Sequence, residues 1–128
     1  MTRTEFTGKR SLDFSGWIRQ HLPDSSTGFC VGNTDWIFWN YKTKTLLLAE
    51  EKTRYGQVAP WFWRLIKTVF DPALKEYCSK NSINYLGYVT VVFSGTDPTN
   101  SKVIIYNDKQ VSEEELKVIL SFKTYATI

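Results

Sequence analysis

Glu50 and Lys52 stand two residues apart in the run Thr45-Leu46-Leu47-Leu48-Ala49-Glu50-Glu51-Lys52, whose apolar residues predict a strand. Side chains alternate across a strand, so Glu50 and Lys52 project from one face and Glu51 from the other. A second strand is predicted over Asp35 to Tyr41, joined to the first through the short polar connection Lys42-Thr43-Lys44. Antiparallel pairing of the two then brings Asp35 to the same end of the sheet as Glu50. The expected cluster is two carboxylates and one ammonium. Two carboxylates suit Mg²⁺ or Mn²⁺, hard cations that take oxygen ligands and keep water or substrate phosphate on their remaining positions. An ammonium beside them offsets charge in a phosphoryl transition state, so the chemistry expected is in-line hydrolysis of a phosphate ester.

The spacing alone is cheap. Glu115-Leu116-Lys117 repeats it inside a segment opened by Ser112 with Glu115 three residues later, the signature of a capped helix. Only the first example lies on a strand, with an upstream acid at the mouth of the neighbouring strand. The bland alternative is that Asp35 caps a turn and that Glu50 and Lys52 are solvated strand-end charges.

These residues must be carried by a larger frame. The pattern predicts a first helix over Ser11 to Leu22, a short strand at Phe29-Cys30-Val31, and the hairpin described above. A helix follows from Val58 to Phe70, then a second stretch to Lys80 with Asp71 as its N-cap before Pro72. Tyr85 to Phe93 is a long strand, Ser94 to Ser101 a loop, Lys102 to Tyr106 the last strand, and the segment after Ser112 the last helix. Leu46, Leu47, Leu48 and Ala49 make both faces of the second hairpin strand apolar, which requires helices against the sheet. The expected fold class is α/β, a mixed central sheet flanked by helices, in a single domain spanning residues 1–128.

With 42% hydrophobic residues, five Trp, seven Tyr and eight Phe, the chain can bury a core, and most of its aromatics are expected there. The net charge of +3 is uneven: residues 1–67 carry +4 and residues 68–128 carry −1. A basic front half favours a polyanionic partner, nucleic acid above all. Lys9, Lys42, Lys44 and Arg54 are candidate phosphate contacts, although lysines in a turn also serve solubility alone. Of Trp61 and Trp63, at helical spacing, Trp63 is the better candidate for exposure and base stacking. His21, the single histidine, suits the end of a helix better than catalysis. Cys30 and Cys78 have no metal-ligand spacing and are expected as buried free thiols. No secretory signal and no stretch of ~20 apolar residues is present, so an intracellular protein without a membrane span is expected.

Asp35, fourteen intervening residues, then Glu50-x-Lys52, on a hairpin between two helices, resembles the PD-(D/E)XK nuclease superfamily. The resemblance covers roughly residues 11–106, though Thr34 stands where the motif's proline would be. It implies an αβββαβ core, as in restriction endonucleases, and a metal held by Asp35, Glu50 and the backbone carbonyl of Glu51. Lys52 would be the catalytic cation, and Gln57 would be within reach of water or phosphate. Asp13 or Glu5 is the candidate for the first-helix acid of some members. The activity implied is metal-dependent phosphodiester hydrolysis, in DNA before RNA, in a small domain of viral, mobile-element or resolvase type, for which a homodimer would supply a second site. The alternative is a protein of this fold that binds nucleic acid or inhibits without cutting.

Overall fold

The computed structural model describes residues 13–28, 30–32 and 34–123. The chain divides into two units, Met1–Gly32 and Asn33–Ile128.

In the first unit, α1 (Asp13–His21) ends on two basic residues, Arg19 and His21, as its dipole favours. Phe14, Trp17 and His21 stack along it, with ring centroids 6.0 and 4.9 Å apart. The His21 ring Nδ1 lies 3.1 Å from the Trp17 carbonyl, the helix-end role expected of it. Asp24 then folds a single 3₁₀ turn (Ser25–Thr27) by accepting from the Ser26 amide at 3.0 Å. The strand expected at Phe29 to Val31 does not form: Cys30 and Val31 lie outside any strand, and Phe29 lies outside the described residues. Cys30 is exposed rather than buried, because no strand carries it into a core; Cys78 is buried as expected.

The second unit is built on a five-stranded mixed sheet in the order β1-β2-β3-β4-β5. β1 (Trp36–Asn40) and β2 (Thr45–Lys52) form the expected hairpin, with Trp36 opposite Ala49 and Asn40 opposite Thr45. Its turn is closed by the Asn40 side chain, which accepts from the amides of Lys42 and Thr43. β3 (Asn84–Phe93) runs parallel to β2. A parallel neighbour needs a crossover, here α2 (Pro60–Leu65), a π turn (Ile66–Phe70) and α3 (Asp71–Lys80). Asp71 does not cap a new helix, since its φ of −62° and ψ of −49° lie inside a continuous one. Pro72 lacks the amide a regular turn would use, and the widened π turn lets the helix pass it.

β4 (Ile104–Tyr106) pairs with β3, starting two residues later than expected, and with β5 (Lys109–Val111), a strand with no counterpart in the expected element order. α4 (Glu113–Leu120) opens on the expected box: the Ser112 hydroxyl accepts from the Glu115 amide at 3.0 Å, and the Glu115 carboxylate accepts from the Ser112 amide at 2.9 Å. No helix among the described residues is long and apolar enough to cross a membrane.

The two sheet faces differ. On one, Leu47, Ala49, Val89, Val91, Phe93 and Ile104 join Leu116 of α4 in one buried cluster. On the other, the register aligns Leu46, Leu48, Glu50 and Lys52 with Tyr85, Tyr88, Thr90 and Val92. The crossover helices lie on this second face, where the Tyr85 hydroxyl donates to Asp71 at 2.7 Å and the Lys67 ammonium to the Tyr88 carbonyl at 3.1 Å. Fewer aromatics are in the core than expected. Among the described residues Tyr88 and Phe93 are buried, whereas Trp39, Tyr41, Tyr55, Phe70 and Tyr77 are exposed. Trp39 belongs to an edge strand, where one flank has no neighbour to cover it.

Candidate metal centre

The hairpin register, continued one residue beyond the Trp36–Ala49 pair, sets Asp35 opposite Glu50. The Asp35 carboxylate accepts from the Glu51 amide at 2.9 Å, which fixes it over the end of β2. In extended backbone the N–H and C=O of one residue point the same way, so the Glu51 carbonyl also faces the Asp35 side. The Glu51 side chain leaves by the opposite face, as its position predicts, and accepts from the Trp36 indole at 2.7 Å. The two carboxylates therefore meet at the rim of the sheet, with the Glu51 main chain beside them.

Glu50 is 3% exposed. Burial pushes its carboxyl up to about 7; the Tyr88 hydroxyl works against the rise, the Asp35 carboxyl adds to it, and the Asp35 amide opposes it. Tyr88, itself buried, donates to Glu50 Oε1 at 2.8 Å and meets the Thr34 hydroxyl at 2.6 Å. Desolvation pushes the Tyr88 phenol up to about 12, so it stays a donor at neutral pH. Among the described residues no ion pair neutralises Asp35 or Glu50. A buried acid pressed against a second acid, with one lone-pair set fixed by a phenol, is the donor chemistry a hard cation requires. No third His, Cys, Asp or Glu side chain joins them among the described residues.

Lys52 shares the Glu50 face one strand repeat further on and lines a cavity with Gln57. Gln57 sits in the loop ahead of α2 and lines the same cavity as the lysine. Arg54 follows β2 at φ 51°, its amide donating to the Gly95 carbonyl, and is exposed near this end of the sheet. Lys42 and Lys44 are not part of the cluster. They occupy the hairpin turn at the other end of β2, on the order of 20 Å from Glu50 at about 3.3 Å per residue, so one phosphate cannot meet both sets. Lys9 and Glu5 lie outside the described residues. Asp13 begins α1, in the other unit.

Tyr88 and Thr34 had no part in the expected site. Ordinary alternation would put Tyr85 and Tyr88 on opposite faces of β3. The register slips between Leu46 and Leu47, leaving Leu86 without a partner, and this one-residue bulge turns both phenols to the Glu50 side. Gly87, at φ +121°, takes the backbone conformation the bulge demands. The glycine between two tyrosines was the available signal.

No family model matches the chain, and no solved structure matches it. An uncharacterized protein of Archaeoglobus fulgidus is 33% identical over 109 residues, covering 73% of this chain and 70% of the relative. The chain belongs to the same family as that archaeal protein. The Archaeoglobus fulgidus relative's description brings no activity with it, so chemistry within this family is argued from the side chains themselves.

Proposed function

We propose that the protein is a divalent-metal-dependent nuclease of the PD-(D/E)XK kind, hydrolysing phosphodiester bonds with DNA as its substrate. The observation that carries this is the meeting of Asp35 with buried Glu50 on the sheet face that also bears Lys52. Asp35, Glu50 and the Glu51 carbonyl would hold one Mg²⁺ or Mn²⁺. A divalent ion held there supplies the charge that polarises a phosphoryl oxygen and acidifies a water. Tyr88 keeps the Glu50 oxygen aimed, and Lys52 carries the fixed positive charge beside the reacting phosphate. Arg54, exposed just beyond β2, would contact a neighbouring phosphate.

The test is cleavage of plasmid, single-stranded and branched DNA, and of RNA, in Mg²⁺ or Mn²⁺, by the wild type, Lys52→Ala and Glu50→Ala. The wild type should cut, and each variant should lose on the order of 10²–10³-fold in rate, as for removal of a preorganised charge-stabilising group. Absence of cutting by the wild type on every substrate, with all three proteins binding nucleic acid alike, would establish a non-catalytic binding protein instead.

A further inference from the structure

Beside the metal centre lies a cavity of about 260 Å³ whose walls include Lys52, Gln57, Val58, Trp63, Val92 and Asp108. Its volume falls just under the roughly 300–1,000 Å³ of sites that enclose a drug-sized ligand. One flat ring system fits this space better than a folded substrate does. The walls divide by chemistry. Val58, Val92 and the Trp63 indole offer apolar surface, and the Lys67 ammonium, 4.7 Å from the Trp63 ring centroid, holds that ring from one side. Gln57 and Asp108 are exposed polar side chains at the mouth, Asp108 from the tight β4–β5 turn, where Asn107 and Asp108 both take positive φ. Lys52 belongs to the cavity and to the proposed nuclease site alike, so an occupant lies next to the phosphate that Lys52 serves.

We propose that this cavity receives a single unpaired nucleobase next to the cleaved phosphate, guanine in preference, so that the substrate is nucleic acid with an extruded or single-stranded nucleotide at the cut. This rests on the nuclease reading of the adjoining site. A base within a duplex is stacked and paired and cannot enter; a bulged, flapped or single-stranded base can stack on an indole. The Asp108 carboxylate only accepts hydrogen bonds, so its partner must present N–H groups. Guanine offers two adjacent donors on its Watson–Crick edge, whereas thymine offers one. The Gln57 amide, donor and acceptor at once, discriminates less.

Binding without cleavage separates the two readings. Fluorescence anisotropy in EDTA compares labelled duplexes that are blunt with duplexes carrying one bulged G, A, C or T. The ratio between them cancels the repulsion of phosphate by Asp35 and Glu50. The wild type should bind the bulged G about tenfold more tightly than the blunt duplex, the scale of one stacked base. Trp63→Ala should erase that ratio and Trp63→Phe should keep most of it. Asp108→Asn, on an exposed turn where the fold is not at stake, should keep the preference for a bulge while removing that for G over T. Equal wild-type binding of blunt and bulged duplexes overturns the proposal, as does a full G preference surviving Asp108→Asn and Trp63→Ala. A bulge preference in a protein that never cuts in Mg²⁺ keeps the cavity and ends the nuclease reading; cutting without any such preference does the reverse.

Discussion

The Tyr88 hydroxyl donates to Glu50 Oε1 at 2.8 Å across two parallel strands, both residues nearly sealed from solvent. A metal-ligating carboxylate is aimed by such a partner, and losing one typically costs roughly 10–100-fold in metal affinity. Tyr88→Phe should therefore weaken Mn²⁺ or Mg²⁺ binding by that factor in calorimetric titration while leaving far-UV circular dichroism unchanged. An unaltered affinity would mean that the phenol has no part in holding the ion.

Glu50 makes stability depend on pH. Its folded-state pKa of about 7 lies above the ordinary 4.5, so between these values the folded protein keeps a proton that the unfolded chain gives up. The sign follows: this contribution is fully present below 4.5 and lost as the pH rises to about 7. Glu50→Gln keeps an acceptor for Tyr88 and carries no charge. Without divalent ions it should melt several degrees above the wild type at alkaline pH, with the two curves converging below pH 4.5. Parallel curves across the whole range would remove the buried-acid account.

The hairpin and its acids were legible because the information is local. The polar stretch between the strands marks the hairpin, although the turn is four residues, Tyr41 to Lys44, one more than the expected Lys42-Thr43-Lys44 connection, and it is this length that sets Asp35 opposite Glu50 on the face of Lys52. The capping box of α4 is local too, with Ser112 and Glu115 three residues apart. What could not be read depends on partners distant in the chain. Tyr88 meets Glu50 only because a bulge shifts the β2–β3 register, and a bulge shows in pairing rather than in composition. β5 is three residues, Lys109-Gln110-Val111, too short and polar to signal a strand before β4 is there to receive it. Asp71-Pro72 has the chemistry of a helix start, yet the preceding helix arrives with a π turn and absorbs the proline.

That bulge makes its own prediction. Gly87 stands at φ +121°, where a residue with a Cβ is strained, although an added Cβ would meet nothing closer than the Val89 side chain at 3.8 Å. The cost of Gly87→Ala is thus conformational rather than steric, about 1–3 kcal/mol in urea unfolding. Relief of the strain by straightening β3 would turn Tyr88 away from Glu50. Divalent-ion affinity should then fall together with stability, whereas a loss of stability with unchanged affinity would separate the bulge from the site.

Leu47 supplies the contrasting case, a residue that holds the sheet without touching the chemistry. It is fully buried between Ala49, Val89 and the α4 residue Leu116, on the face opposite Glu50 and Lys52. Truncation to alanine removes its dispersion contacts and leaves a hole that strands on both sides prevent from collapsing, so Leu47→Ala should cost about 2–5 kcal/mol. For a domain of this size that is a large part of the total stability. Below the lowered melting temperature, Asp35, Glu50 and Lys52 should still converge, because the hairpin backbone that aligns them is set by main-chain pairing. Cleavage per folded molecule should therefore match the wild type at low temperature and fall only as the variant unfolds. A loss of activity well below its melting transition would show that the apolar face tunes the proposed metal site directly.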